Sequence, residues 1–255
     1  MRNERIICGV NPVLELLRSN PQKVTKVFIS EGRTGKLLDE IYYLLRSNNI
    51  PFQKTPRQAL KKYTNQSHQG VIAIVSPSTY HSEEDLLSKI AQKPTSISII
   101  LDGIEDPRNF GSILRTAECA GVDAVFIPER RSVGVTEVVA KTSAGAVEYV
   151  PIARSSNINR LIEKMKKNNI WVVGTDAKAE IEYTAWKWDA KTALVLGSEG
   201  KGLHELTRKK CDALVKIPVF GKIESLNVAV AAGVILYEII RQRNFQKHSQ
   251  NAIIR

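Results

Sequence analysis

Three groups of residues have types and spacings that could do chemistry. In residues 101–121, Arg108, Ser112 and Arg115 fall on one face of a helical wheel, with Asn109 and Gly111 flanking them. Two arginines and short polar side chains after a strand suit a phosphate or a ribose. In residues 193–203 an apolar run leads into Gly197, Gly200 and Gly202 around Glu199. Three glycines in six residues require close backbone approach, either to a flat ligand such as adenine or to another strand of the chain. In residues 215–243, Ile217-Pro218 leads through a polar loop to Ser225-Leu226-Asn227 and a long apolar stretch. Backbone groups at Ile217 and Leu226 could face a purine edge, and Asn227 could reach a reacting centre. Taken singly, each group also fits a bland reading: a solvated helix face, a plain loop and a capped helix.

The elements that must hold these groups follow from patterning. Unalternating apolar runs at 97–101, 124–127, 146–150, 171–175, 193–196 and 213–217 are expected to be buried strands. Helices are expected at 107–120, 135–142, 158–168 and 203–209, with another after Asn227. This alternation predicts an α/β fold, a mostly parallel sheet with helices on both faces. The nearly continuous apolar character from Val228 to Leu236 predicts that more than one face of the last helix is covered.

A smaller α/β series precedes it. Gly9-Val10-Asn11-Pro12 opens a helix, followed by a strand at 24–30, a helix at 35–47, a strand at 50–53, a short helix at 56–62 and a buried strand at 70–75. The expected domains are 1–76, a linker at 77–95 with its own helix, 96–246, and a polar, frayed tail at 247–255. The chain carries a net charge of +11, and residues 1–76 hold twelve Lys/Arg against five Asp/Glu. A polyanion is the expected partner of this first part.

At 255 residues and 43% hydrophobic the chain can build two cores. Its longest apolar stretch has ten residues, too short to cross a bilayer, and a cytoplasmic location with no membrane partner is expected. Cys8, Cys119 and Cys211 are scattered, so no metal site is expected, and Cys119 is expected to be packed. His68 is expected in a turn or packing role, and His81, His204 and His248 lack partners spaced for metal or triad chemistry. Trp171 is expected in the core or against a second chain. The basic runs Arg130-Arg131 and Arg208-Lys209-Lys210 could contact phosphates or simply face solvent.

Taken together, the three groups resemble the signature motifs of the SpoU (TrmH) family of RNA ribose 2′-O-methyltransferases, N-x-G-x-x-x-R, G-x-E-G-x-G and a Pro followed by S-L-N. Here they read Asn109 to Arg115, Gly197 to Gly202, and Pro218 with Ser225-Leu226-Asn227. Gly9-Val10-Asn11-Pro12-Val13 and His68-Gln69-Gly70-Val71-Ile72-Ala73 are similar to that family's RNA-binding extension. The closest resemblance is to the branch that methylates a guanosine of large-subunit rRNA. It implies S-adenosyl-L-methionine as methyl donor, an RNA substrate, a homodimer and a trefoil-knotted, SPOUT-like catalytic domain. It also implies catalytic roles for Arg115, Asn109, Glu199, Ser225 and Asn227. Donor contacts fall on Gly197, Gly202, Ile217 and Leu226. A tRNA methyltransferase and a non-catalytic ribosome-assembly protein are the alternatives. An NAD-dependent oxidoreductase is disfavoured by the G-x-x-G-x-G order and the missing ribose-binding acid.

Overall fold

The computed structural model describes residues 5–64, 68–75, 80–130 and 132–252, with side chains to Asn244. The expected domain end at Ser76 and Arg131 of the Arg130-Arg131 run lie outside the described residues. The chain divides into two compact units, one of residues 1–79 with 134–149, the other of 80–133 with 150–255.

The first unit holds a four-stranded sheet with strand order β1-β4-β2-β3. Its strands are β1 (Arg5–Cys8), β2 (Val24–Ser30), β3 (Phe52–Thr55) and β4 (Val71–Val75). Helices α1 (Val10–Ser19) and α2 (Lys36–Ser47) pack together through Val13, Leu17, Ile41 and Leu45, all fully or nearly fully buried. The two ends of this sequence meet at the entry to α1. The Gly9 N–H donates to the Val71 carbonyl at 3.0 Å, and the Val10 N–H donates to Gln69 Oε1 at 3.3 Å. Gly9 makes that turn at φ 106°, which side-chain-bearing residues rarely adopt.

Residues 134–149 belong to this unit. Helix α5 (Glu137–Thr142) packs near β1, where Glu137 accepts from the Cys8 thiol and the Thr64 hydroxyl, both at 2.7 Å. The strand expected at 146–150 is instead a 3-10 turn over Ala146–Glu148. The reversal is set by Gly145, at φ 94°, where any Cβ would stand 2.5 Å from Glu15 Cβ. Glu148 faces Lys23 at 3.9 Å, and its carbonyl accepts from Asn20 at 2.8 Å.

The second unit carries a seven-stranded sheet in the order β7-β6-β5-β10-β8-β11-β9, every neighbouring pair parallel. Its strands are β5 (Ile97–Asp102), β6 (Ala124–Pro128), β7 (Ile152–Ser155), β8 (Trp171–Thr175), β9 (Ile181–Glu182), β10 (Thr192–Gly197) and β11 (Ala213–Lys216). One face is covered by α3 (Glu83–Gln92) and α6 (Ile158–Lys167), whose Leu86, Ile90, Leu161 and Met165 join Ile100, Phe126 and Val195 in one core. The C-terminal ends of β5 and β10 lie side by side, Gly197 opposite Asp102. There the chain turns to opposite sides of the sheet, the usual place for a ligand in an open α/β sheet.

On the other face, α4 (Pro107–Cys119) packs against α8 (Val228–Ala252), with α7 (Glu205–Lys210) elsewhere in the unit. Helix α8 continues past Gln246. It buries Val228, Ala232, Ile235, Leu236 and Ile239, while Val230 and Tyr237 stay more than half exposed. One stripe of α8 is therefore uncovered in the single chain. Its distal half is pinned by polar contacts. Arg243 donates to the carbonyls of Trp188, Ala190 and Ser96, and Gln242 donates to those of Thr184 and Trp186. Trp188 is fully buried beneath this lattice. Trp171 does not enter the core: it is 48% exposed and meets Trp186 edge-on. Cys119 is exposed rather than packed.

Candidate active site

The first motif rides on α4. Asp106 caps this helix by accepting from the Arg108 N–H at 2.8 Å, and Pro107 occupies the first turn, where its missing N–H costs nothing. Phe110, Leu114 and Ala117 are fully buried, which fixes the rotation of the helix. That rotation leaves Asn109 buried at the flank and Arg115 exposed. The two lie six residues apart, about 9 Å along the axis.

The second motif is a loop closed on itself. Ser198 and Gly202 exchange backbone hydrogen bonds at 3.0 and 2.9 Å. A Cβ on Gly197 would lie 2.2 Å from the Gly202 carbonyl carbon and 2.3 Å from the Leu203 nitrogen. Of the two explanations open for these glycines, Gly197 thus answers to its own chain. Gly200 and Gly202 turn the loop at φ 79° and 68°. The third motif ends in Asn227, whose Oδ1 accepts from the Ala229 and Val230 N–H groups at 2.9 and 3.4 Å and caps α8.

That cap orients the amide. With Oδ1 committed to backbone donors, Nδ2 must point away from the helix, and it donates to Asn109 Oδ1 at 3.0 Å and Glu199 Oε1 at 2.8 Å. Asn109 Nδ2 completes the ring by donating to the same Glu199 oxygen at 2.5 Å. One residue from each motif therefore joins a single closed network. Glu199 Oε2 has no hydrogen-bond partner among the described residues.

The remaining predicted residues do not join this network. Arg115 has no hydrogen bond or ion pair among the described residues. Ser225 is exposed and unbonded on the same terms, and Leu226 is 42% exposed. Ile217 is half-buried. Between them, residues 219–226 form no backbone hydrogen bond among the described residues. An exposed loop with free N–H and C=O groups can satisfy them on a polar, planar ligand.

Sequence reading missed a pairing beside this centre. Asp102, buried at the end of β5, accepts from both the backbone N–H and the Nδ1 of His204 at 2.9 Å. His204 therefore has a partner. The only sequence signal was an acid closing an otherwise apolar strand; 102 positions separate the two. The basic run after it is neutralised locally. Arg208 meets Asp176 at 2.5 Å, Lys209 meets Glu205 at 3.1 Å, and Lys210 meets Glu163. His68 sits buried in its turn, its Nδ1 accepting from the Gly70 N–H at 3.0 Å.

Comparison with known proteins places these features in context. Residues 96–237 match the SpoU rRNA methylase family, and residues 6–81 match the RNA 2′-O ribose methyltransferase substrate-binding family. The chain is 39% identical over 244 residues to the 23S rRNA (guanosine-2′-O-)-methyltransferase RlmB of Pseudomonas putida, covering 94% of this chain and 98% of that protein. It is 42% identical over 239 residues to YacO of Bacillus subtilis, named by family as a TrmH-type tRNA/rRNA methyltransferase, covering 93% and 96%. Among solved structures, the SpoU methyltransferase AviRb from Streptomyces viridochromogenes superposes with a TM-score of 0.80 at 24% identity, covering 95% of this chain and 91% of that one.

Proposed function

This chain belongs to the SpoU rRNA methylase family, and from that membership we propose that it transfers methyl from S-adenosyl-L-methionine to the ribose 2′-hydroxyl of a guanosine in large-subunit rRNA. Membership makes it an S-adenosylmethionine-dependent RNA 2′-O-methyltransferase. The observation that carries the site assignment is the Asn109–Glu199–Asn227 network, which joins all three motifs at one point.

The free backbone of residues 219–226, bracketed by Ile217 and Leu226, fits the adenine and ribose of the donor, with the Gly197–Gly202 loop as the opposite wall. When bound, the donor supplies an electrophilic methyl on a sulfonium. The residues of the chain do the rest. Glu199 and the two asparagines hold the walls of the site in fixed register, so that the reacting oxygen arrives pre-aligned. The open Glu199 Oε2 can accept a hydrogen bond from the ribose. Arg115, exposed on α4, presents a guanidinium to the RNA phosphate and to charge developing on the 2′-oxygen. A guanidinium stays protonated in proteins, so Arg115 acts as an electrostatic clamp rather than as a base, and the 2′-proton passes to the neighbouring RNA phosphate as the methyl leaves sulfur for oxygen. Ser225, beside Asn227, adds a hydroxyl at the same mouth.

In this reading the first unit, residues 1–79 with 134–149, binds RNA, the second, 80–133 with 150–255, is catalytic and takes the segment expected as a linker into its own core through Leu86 and Ile90, and the protein works as a cytoplasmic homodimer with a knotted catalytic domain. The dimer is supported by the exposed apolar residues Phe220, Ile223, Val230 and Tyr237, which a solitary chain would leave in water. Threading is supported by the polar pinning of α8 at Ser96, Trp188 and Ala190. The test is Glu199→Gln and Asn109→Ala in single-turnover methyl transfer. At least about 100-fold loss of rate with retained folding is expected, and near-wild-type transfer by both would remove the network from the mechanism.

A further inference from the structure

The cations of the first unit fall into two kinds. On α1 they are matched by acids: Arg18 meets both Glu15 and Glu40 at 2.6 Å. Past the C-terminal ends of β2 and β3 they are not. Arg33 follows β2, and Arg57 and Lys61 lie on the 3-10 helix Arg57–Lys62 that follows β3. The 3-10 helix packs against β2, the strand that ends just before Arg33, and the charge of each of the three bears on the His68 ring. Arg33 is tied to the spot directly, because its Nη1 donates to the Gln69 carbonyl and its Cδ lies 3.2 Å from the Cβ position of Gly70. None of the three has an ion-pair partner among the described residues. Arg57 and Lys61 are exposed.

Three like charges kept together without acids repel one another, and such a cluster is stabilised when a polyanion covers it. His68 does not add a fourth charge: it is 7% exposed, and Nδ1 is occupied as an acceptor. Tyr63, just after the same 3-10 helix, is 38% exposed and stacked on Phe28 with ring centroids 4.6 Å apart. A ring held rigidly beside a cationic cluster offers a stacking surface to an unpaired base, which favours RNA over an acidic protein.

We propose that Arg33, Arg57 and Lys61 form a phosphate clamp through which the first unit grips the sugar–phosphate backbone of RNA, with Tyr63 as an adjoining base platform. This rests on the reading of this unit as RNA-binding and names the surface that does it. The clamp is blind to sequence and positions the RNA for chemistry done elsewhere.

The test uses the full chain and an in-vitro-transcribed, unmodified large-subunit rRNA, with affinity measured across a salt series. Arg57→Gln/Lys61→Gln changes two exposed side chains that make no hydrogen bond among the described residues, and Arg33→Gln is added in a triple variant. Each lost phosphate contact should flatten the dependence of log K on log salt by about 0.7 to 0.9, so roughly 1.5 for the double variant, with affinity at low salt down about tenfold. S-adenosylmethionine affinity should not move, and the unfolding midpoint of the double variant should not fall. An unchanged slope and affinity would overturn the clamp and leave RNA binding by the protein intact. Equal competition by polyglutamate would also overturn it, by marking a general acidic-surface site. Failure of the wild-type chain to bind the transcript would remove the reading beneath it.

Discussion

At the scale of single residues, Asn227 does two jobs with one amide. Its oxygen caps α8 and its nitrogen holds Asn109 and Glu199, so the cap enforces the orientation the site needs. Asn227→Asp keeps the capping acceptor but replaces the donor with a second carboxylate oxygen facing Glu199. Folding should lose about 1 to 3 kcal/mol from the two acceptors left facing each other, and methyl transfer should fall at least about 100-fold; a variant that transfers normally would show the network to be incidental. Arg115→Lys separates a forked contact from a point charge. A loss about as large as that of Arg115→Ala is expected, and near-full activity in the lysine variant would reduce Arg115 to charge alone. His68 supplies a pH dependence. Burial first, then Arg57, Lys61 and Arg33, hold its pKa below the ordinary histidine value. The unfolded chain therefore takes up this proton at higher pH than the native one, and stability falls as pH drops below about 6.5. His68→Gln keeps an acceptor for the Gly70 N–H and should lose less midpoint between about pH 7.5 and 5.5 in calorimetry. An equal loss would exclude His68 as the source. That Asn109, Glu199 and Asn227 belong together was legible through the three motifs and their resemblance. Their mutual bonds were not, because Asn109 and Asn227 lie 118 positions apart and only the folded sheet brings them together.

At the scale of elements, the glycines separate by what surrounds them. Gly197→Ala pushes a methyl into backbone at 2.2 Å and should unseat the second-motif loop, costing about 3 kcal/mol. Gly221→Ala meets open space and should be nearly neutral. Matched unfolding midpoints for the two would contradict the closed-loop account. Strands fully buried on both faces, such as β5 and β10, were readable as unbroken apolar runs. The misread element, Ala146–Glu148, has the same apolar look, but Gly145 turns the chain there and ties it to α1 through Glu15. Strand β7 escaped notice because Pro151 and Arg154 interrupt its pattern on an edge of the sheet. The last helix was expected to be covered on more than one face. It meets α4, β10 and the segment at 184–190, and only a stripe marked by Val230 and Tyr237 stays open.

At the scale of the whole molecule, that open stripe predicts self-association. Val230→Glu with Tyr237→Glu alters only exposed positions of α8 and should convert a two-chain species to one chain in sedimentation, with loss of methyl transfer. A wild-type chain that sediments as a single copy at micromolar concentration would contradict the dimer. Net charge and its uneven placement made a polyanion partner legible, since twelve cations against five acids in residues 1–76 follow from composition. The identity of the polyanion did not, because phosphate contacts carry no sequence information. Transfer of labelled methyl from S-adenosylmethionine to unmodified large-subunit rRNA and to tRNA, with mapping of the modified ribose, addresses that most directly. The account predicts one labelled 2′-O-methylguanosine in the rRNA, absent with Glu199→Gln. Labelling of tRNA alone, or of neither RNA, would contradict it.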